Sequence, residues 1–134
     1  MSTNSSISAK CKDGKYRGIY CHWDGYPSHN GRILLAHYNT PEKVEELIAL
    51  GSLSSLSERA FPADGEYHSY QNPANGVTIA YERDRGEKDQ KATEANTLNE
   101  LLSDIGNEYD YYFDGEKWSC NDELLEEVLA KEHD

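Results

Sequence analysis

The sequence lacks any long hydrophobic run. Among its 134 residues, no apolar stretch is longer than that of residues 33–36, whereas about 20 apolar residues are needed to cross a bilayer. Residues 1–6 have neither the positive charge nor the apolar segment of a signal peptide. We therefore expect no membrane association and a cytoplasmic location.

Cysteine is also scarce. Cys11, Cys21 and Cys120 are odd in number, widely separated and without a C-x-x-C spacing, which disfavours a disulfide framework and a cysteine zinc site. His22 and Asp24 share one face of an extended segment, but a metal site needs further ligands with supporting contacts. We predict reduced thiols, no metal and no cofactor.

Catalytic motifs are missing. The sequence contains no G-x-S-x-G, no H-E-x-x-H, no P-loop and no dinucleotide fingerprint. Cys21 and His22 are adjacent, and neighbours on a strand point to opposite faces, so they do not form a nucleophile and base pair. The residues favour a protein that is not an enzyme, without deciding the question.

Positive charge is almost absent from the last third of the chain. The net charge is -12, and residues 94–134 hold thirteen acidic side chains against Lys117 and Lys131. Such a field repels nucleic acid and anionic membranes and attracts basic surfaces. Solvated helix and hairpin faces that keep the protein soluble are the alternative explanation.

What the sequence does contain is a pattern of short strands and amphipathic helices that do not alternate strictly. This pattern predicts an α+β fold, a mainly antiparallel sheet of about five strands covered by three or four helices. We expect a single domain over residues 1–134, with residues 1–5 and the last few flexible. The predicted strands span residues 7–11, 15–23, 77–82, 109–113 and 117–120, with a shorter one at 67–70; the predicted helices begin near residue 33, after Thr40, near residue 93 and after Asn121.

One segment resembles a known family. Residues 20–27, with the sequence YCHWDGYP, together with residues 35–38, 42–56 and 80–86, resemble a family of small uncharacterised proteins from phages, prophages and bacterial genomes. The resemblance implies a phage or prophage accessory protein, acting in the host cell cytoplasm, and it brings no catalytic residue with it. The acidic ending from Asn121 is the part that this family pattern leads us to expect least.

The first candidate site is an acidic and aromatic surface for a protein partner. Exposed aromatic rings among charged side chains are typical of protein-binding surfaces, although ordinary packing in the sheet would also account for the rings. The candidate residues are Tyr109, Asp110, Tyr112, Asp114, Glu116, Glu123, Glu126 and Glu127.

The second candidate site is a polar ligand pocket where two loops leave the sheet. An arginine at the end of a strand can present its guanidinium fork to a phosphate, although an arginine and aspartate network that fixes the loop to the sheet is the alternative. The candidate residues are His22, Trp23, Asp24, Tyr26, Arg83 and Arg85.

These sites lead to one favoured function and two alternatives. We expect a phage- or prophage-encoded binding protein that inhibits a host factor, such as a component of host defence, through its acidic surface. The expected partner is a host protein with a basic surface, without direct binding to nucleic acid, and the oligomeric state stays open. The alternatives are a small enzyme or nucleotide-binding protein that uses the pocket, and a structural phage component.

Overall fold

A single mixed sheet organises the molecule. The structure, a computed structural model, describes residues 3–132. The strands follow the order β4-β3-β2-β1-β6-β7-β8, and β5 also pairs with β2. Their bounds are β1 Ser5–Lys10, β2 Tyr16–Cys21, β3 Leu53–Ser55, β4 Ile79–Ala80, β5 Thr93–Ala95, β6 Tyr109–Phe113, β7 Trp118–Cys120 and β8 Glu123–Leu124.

Five α-helices accompany the sheet in the described part of the chain. They are α1 Arg32–His37, α2 Pro41–Ile48, α3 Tyr81–Arg85, α4 Leu98–Ile105 and α5 Leu125–Glu132, and a π-helical turn, Pro27–Gly31, precedes α1. None of them combines the length and the hydrophobicity that crossing a bilayer would require. The predicted α+β class is confirmed, but the sheet is mixed and has more strands than the five expected, and the described chain has five α-helices instead of three or four.

The mixed character comes from two parallel pairings. β2 pairs parallel with β3, and β1, at the centre of the sheet, pairs antiparallel with β2 and parallel with β6. A parallel pair needs a crossover connection, and here about a hundred residues separate β1 from β6. Local sequence patterns carry no information on such a distant pairing, so the sequence did not predict the parallel pairs. Five of the seven pairings between the named strands are antiparallel, in line with the mainly antiparallel sheet that was expected.

The two faces of the sheet differ in chemistry because successive side chains alternate between them. One face carries the buried core and packs against α1, α2 and α5. The opposite face carries Ser6, Ser8 and Gly18, and α4 packs across it against β2 and β5. The main core side chains are Ile7, Ile19, Leu34, Val44, Leu47, Leu53, Tyr111, Phe113, Trp118 and Leu125.

The predicted strand over residues 77–82 is reduced to Ile79–Ala80 in the structure, and it is wrong beyond Ala80. The helix α3 begins at Tyr81 because the Asp84 carboxylate accepts a hydrogen bond from the Ala80 N–H at 2.8 Å. Gly86, with a φ of 74°, ends this helix. The short strand predicted at residues 67–70 is absent, and that segment is irregular.

The helix predicted over residues 93–105 starts five residues later. Thr93–Ala95 form β5 on β2, and Thr97 then caps α4 by accepting a hydrogen bond from the Glu100 N–H at 3.2 Å. The unrecognised signal is this threonine followed by a glutamate three residues on, which marks a helix start.

Asn121 does not cap a helix, contrary to the prediction. Asn121 and Asp122 both have positive φ, 49° and 69°, and they connect β7 to β8, whose paired residues include Cys120 and Glu123. Two consecutive left-handed residues define a type I′ hairpin turn, and Asn and Asp tolerate that conformation well. The acidic helix α5 therefore begins only at Leu125.

The chain is ordered closer to its start than expected. Ser5 already belongs to β1 and is buried, and the Thr3 carbonyl accepts a hydrogen bond from the Gly25 N–H at 2.8 Å. The flexible segment expected at residues 1–5 is thus wrong for residues 3–5. Residues 1–2 and 133–134 lie outside the described part of the chain.

Candidate functional site

The sheet topology separates the acidic part of the chain from the rest. All strands formed by residues beyond 105, namely β6, β7 and β8, lie on one side of β1, and β2 to β5 lie on the other side. A charge asymmetry along the sequence therefore becomes an asymmetry in space. We give the name acidic edge to the exposed acidic residues of this edge and of α5 that make neither an ion pair nor a turn hydrogen bond: Glu108, Glu116, Asp122, Glu126 and Glu127. Glu123, which pairs with Lys131, and Asp114, which holds the β6–β7 turn, are exposed here too but are not included.

Ion pairing follows the same division. On the side of β2 to β5, Arg17 pairs with Asp13 at 2.6 Å and Arg59 pairs with Glu66 at 2.9 Å. The latter contact lowers the pKa of Glu66 to about 2, mainly through the hydrogen bond from the guanidinium. No described residue of the acidic edge has a cation within ion-pair distance.

Half of the predicted protein-binding residues have structural roles. Asp110 accepts hydrogen bonds from the Ser6 hydroxyl at 2.6 Å and from a backbone N–H at 2.9 Å. Asp114 accepts two backbone hydrogen bonds in the β6–β7 turn, and these lower its pKa. The Tyr112 ring stacks on Tyr16 with centroids 6.2 Å apart, and Tyr109 is half-buried.

The other predicted protein-binding residues are exposed. Glu116, Glu126 and Glu127 belong to the acidic edge, and Glu123 pairs with Lys131 at 2.7 Å. The large exposed aromatic side chains lie elsewhere: they are Trp23, Tyr26, Phe61, Tyr67 and Tyr70. A partner at the acidic edge would therefore meet carboxylates rather than aromatic rings.

The predicted pocket residues of the first loop contact one another and their own loop. The His22 Nδ1 lies 2.7 Å from the Tyr20 hydroxyl, and the Trp23 ring meets the His22 ring edge-on at 4.7 Å. The Tyr26 hydroxyl donates to Asp24 at 3.3 Å. Asp24 has a φ of 55°, so it serves as a turn residue in this loop.

Arg83 fixes the loop between β3 and β4 to the sheet. Its guanidinium donates to the Ala60 carbonyl at 2.6 Å, to the Thr78 carbonyl at 2.7 Å and to Asp84 at 2.9 Å. These contacts use the donors of the fork that a phosphate would need. Arg83 therefore plays the structural role that the sequence left as an alternative.

Sequence reasoning missed the histidine that completes this network. His68 Nε2 lies 3.1 Å from Asp84 Oδ1, and both side chains are only 3% exposed. The His68 Nδ1 accepts a hydrogen bond from the Ala74 N–H at 2.9 Å, so this nitrogen is not available as a base. Burial raises the pKa of Asp84, but hydrogen bonds from Arg83, Ala80 and His68 outweigh it and lower the pKa overall.

Arg85 points in a different direction and lines an open cleft. The cleft measures about 460 Å³ and is lined by Tyr67, Ser69, Tyr70, Gln71, Asp84 and Arg85. His22, Asp24, Tyr26 and Arg83 are not among its lining residues. Tyr67 and Tyr70, two aromatic residues in an otherwise polar connection, are the feature of the sequence that indicates this cleft. The sequence pattern instead predicted a strand for them at residues 67–70.

Metal binding finds no support in the described chain, because residues 3–132 contain no group of three His, Cys, Asp or Glu side chains arranged to hold an ion. Comparison of the chain with protein-family models, with curated proteins and with solved structures finds no match.

Proposed function

We propose that this protein is a small phage- or prophage-encoded binding protein that inhibits a host factor, such as a component of host defence. In this proposal the acidic edge docks on a basic surface of the host protein. The observation that carries it is the absence of ion pairs at the residues of the acidic edge in the described chain, in contrast to the paired charges on the other side of β1.

Unpaired carboxylates at one edge produce a directional field. Such a field increases the rate of encounter with a basic partner and suppresses binding to acidic ones. A basic surface that normally holds nucleic acid is a suitable target, since its phosphate-binding cations are available to carboxylates. Competition for that surface would inhibit the host factor without any catalytic step.

The experiment is capture from a lysate of the bacterial host. The test variant replaces Glu116, Glu126 and Glu127 by Gln, which removes three exposed charges that have no ion pair or structural hydrogen bond in the described chain. We expect the partner captured by the wild type to be lost. Recovery of the same partner in the same amount by this variant would contradict the proposal.

The chain offers a matched control on the other side of the sheet. Replacing Glu46 by Gln and Asp64 and Asp89 by Asn removes the same amount of charge from exposed positions outside the acidic edge. This control variant should capture the partner as the wild type does. Equal losses in both triple variants would mean that total charge, rather than the acidic edge, determines binding.

The salt dependence of the affinity is a second, independent test of the acidic edge. The affinity of the purified complex should fall steeply between low and physiological ionic strength, because exposed charges are screened over a Debye length of about 8–10 Å under those conditions. An affinity that does not change with salt would exclude the acidic edge as the main contact.

A further inference from the structure

Arg85 is held in a fixed orientation with unused donors. Its guanidinium carbon lies 5.1 Å from the Tyr70 ring centroid and 5.9 Å from that of Tyr81. Its Nε lies 3.1 Å from a carboxylate oxygen of Glu87. The two terminal nitrogens make no hydrogen bond with any residue that the structure describes. These three contacts orient the Arg85 guanidinium in the lining of the cleft, and its two terminal nitrogens stay available to a ligand.

The buried carboxylate of Asp84, next to Arg85 in the sequence, is paired with another arginine and not with Arg85. Asp84 is already engaged by Arg83 at 2.9 Å and 3.0 Å and by the Ala80 N–H at 2.8 Å. Its negative charge is therefore balanced by Arg83. Arg85 stays available to an incoming anion, with the half-buried Glu87 as its one competing carboxylate among the described residues.

The cleft also offers a ring and further donors. Tyr67 is 72% exposed, and its ring makes no aromatic contact within the described residues. The Ser69 Oγ accepts from the Asn72 N–H at 3.0 Å, which leaves its hydroxyl proton free to donate. The Gln71 side chain is exposed at the same cleft.

We propose that this cleft binds a free mononucleotide, with its phosphate on the outer nitrogens of Arg85 and its base stacked on Tyr67. A guanidinium fork matches phosphate geometry, and stacking of a base on an aromatic ring contributes about 1–3 kcal/mol. The cleft volume of about 460 Å³ lies within the usual range of small-molecule sites. The net charge of -12 opposes long polyanions, which favours a small ligand over an RNA or DNA strand.

The site is separate from the acidic edge, so this inference goes beyond the function proposed above and does not depend on it. Isothermal titration calorimetry of the purified full chain with AMP, GMP, CMP and UMP tests it directly. Adenosine and inorganic phosphate, titrated alone, measure the contributions of the ring and of the anion. We expect at least one nucleotide to bind at least tenfold more tightly than adenosine and than phosphate.

Two variants, each with a matched control, test the residues. Arg85→Gln should weaken nucleotide binding at least tenfold, and Arg85→Lys, which keeps the charge but loses the fork, should weaken it severalfold. Lys88→Gln removes an exposed charge outside the cleft and should have no effect. Tyr67→Ala should weaken binding at least fivefold, whereas Tyr26→Ala, at an exposed tyrosine elsewhere, should not.

The proposal is overturned if none of the four nucleotides binds at 1 mM, a concentration on the order of weak small-molecule affinities. It is equally overturned if phosphate alone binds as tightly as the best nucleotide, or if Arg85→Gln binds as the wild type does. Thermal melts of each variant establish that it is folded. If Arg85→Gln does not fold, the Arg85→Lys and Tyr67→Ala results decide the outcome.

Discussion

Replacing Leu101 by Ala is the most direct test of how α4 sits on the sheet. Leu101 is fully buried, and its Cδ2 would lie 3.2 Å from a Cβ at Gly18, which places it directly over β2. Removing a buried leucine side chain typically costs about 2–5 kcal/mol of unfolding free energy. Because the other apolar residues of α4 are only half-buried and can move toward the gap, we expect about 3 kcal/mol here.

Urea unfolding followed by circular dichroism measures this cost. At an m-value of about 2 kcal/mol/M, a loss of about 3 kcal/mol lowers the midpoint by about 1.5 M. Leu102→Ala should cost less, because Leu102 is half-buried, and the exposed Ser103→Ala should stay within about 0.5 kcal/mol of the wild type. A loss below about 1 kcal/mol for Leu101→Ala would refute the packing of α4 on this face.

The glycine beneath α4 supplies a complementary double-mutant cycle. A Cβ at Gly18 would lie 2.5 Å from Ile105 Cδ1, so Gly18→Ala should destabilise by about 1–3 kcal/mol through overpacking. Ile105→Val removes that methyl group. The double variant should therefore lose less stability than the sum of the single variants, whereas additive losses would show that Ile105 does not lie over Gly18.

Three further predictions concern titration, thiols and a turn. The lowered pKa of Asp84 means that its carboxylate stabilises the fold above its unfolded pKa of about 3.9, and that this stability is lost as the pH falls below that value. Asp84→Asn should lower the unfolding free energy by about 1–3 kcal/mol at pH 7, measured by urea unfolding. It should also weaken the dependence of the unfolding free energy on pH at acidic pH. Burial raises the pKa of Cys21 to about 12, so Ellman's reagent at pH 7.5 should label it only after unfolding. Asn121→Gly should lower the melting temperature modestly, because glycine accepts a φ of 49° but removes the side-chain hydrogen bonds with the Asp110 N–H and the Glu108 carbonyl. Asn121→Val loses these bonds and also strains the turn, so it should lower the melting temperature further.

The elements that were predicted correctly are those that local chemistry determines. The Asp13–Gly14 turn predicts the β1–β2 hairpin, and Thr40 followed by Pro41 predicts the start of α2, where the Thr40 hydroxyl accepts from the Lys43 N–H at 3.3 Å. Each signal acts within four residues. No tertiary contact is needed to produce these elements, so the sequence alone was sufficient.

The elements that were predicted wrongly have two kinds of cause. Some depend on contacts between residues that are distant in the chain, and others on residues whose local chemistry suits two different conformations. The parallel pairing of β1 with β6 and the pairing of β5 with β2 join remote segments. Tyr81 and its neighbours favour a strand by composition, but the hydrogen bond that the Ala80 N–H donates to the Asp84 carboxylate starts a helix there. Asn121 suits a helix cap and a left-handed turn equally well, and the pairing of β7 with β8 selects the turn.

The candidate sites were predictable to the extent that they depend on charge. The excess of carboxylates beyond residue 93 is visible in the sequence, and so is the arginine pair at positions 83 and 85. The sequence does not show which of the two arginines has a structural role. That role depends on hydrogen bonds from Arg83 to the Ala60 and Thr78 carbonyls, which belong to separate segments of the chain. Burial of His68 against Asp84 is likewise a tertiary contact that no local pattern specifies.

The position of β1 links the two proposals. Because β6 to β8 extend the sheet on one side of β1 and β2 to β4 extend it on the other, the acidic edge and the cleft of Arg85 belong to opposite parts of the sheet. Within the described residues no ion pair joins them, and sites without shared contacts act additively. Loss of the three carboxylates should therefore leave nucleotide binding unchanged, and loss of Arg85 should leave capture of a host protein unchanged. Either proposal can thus fail while the other stands.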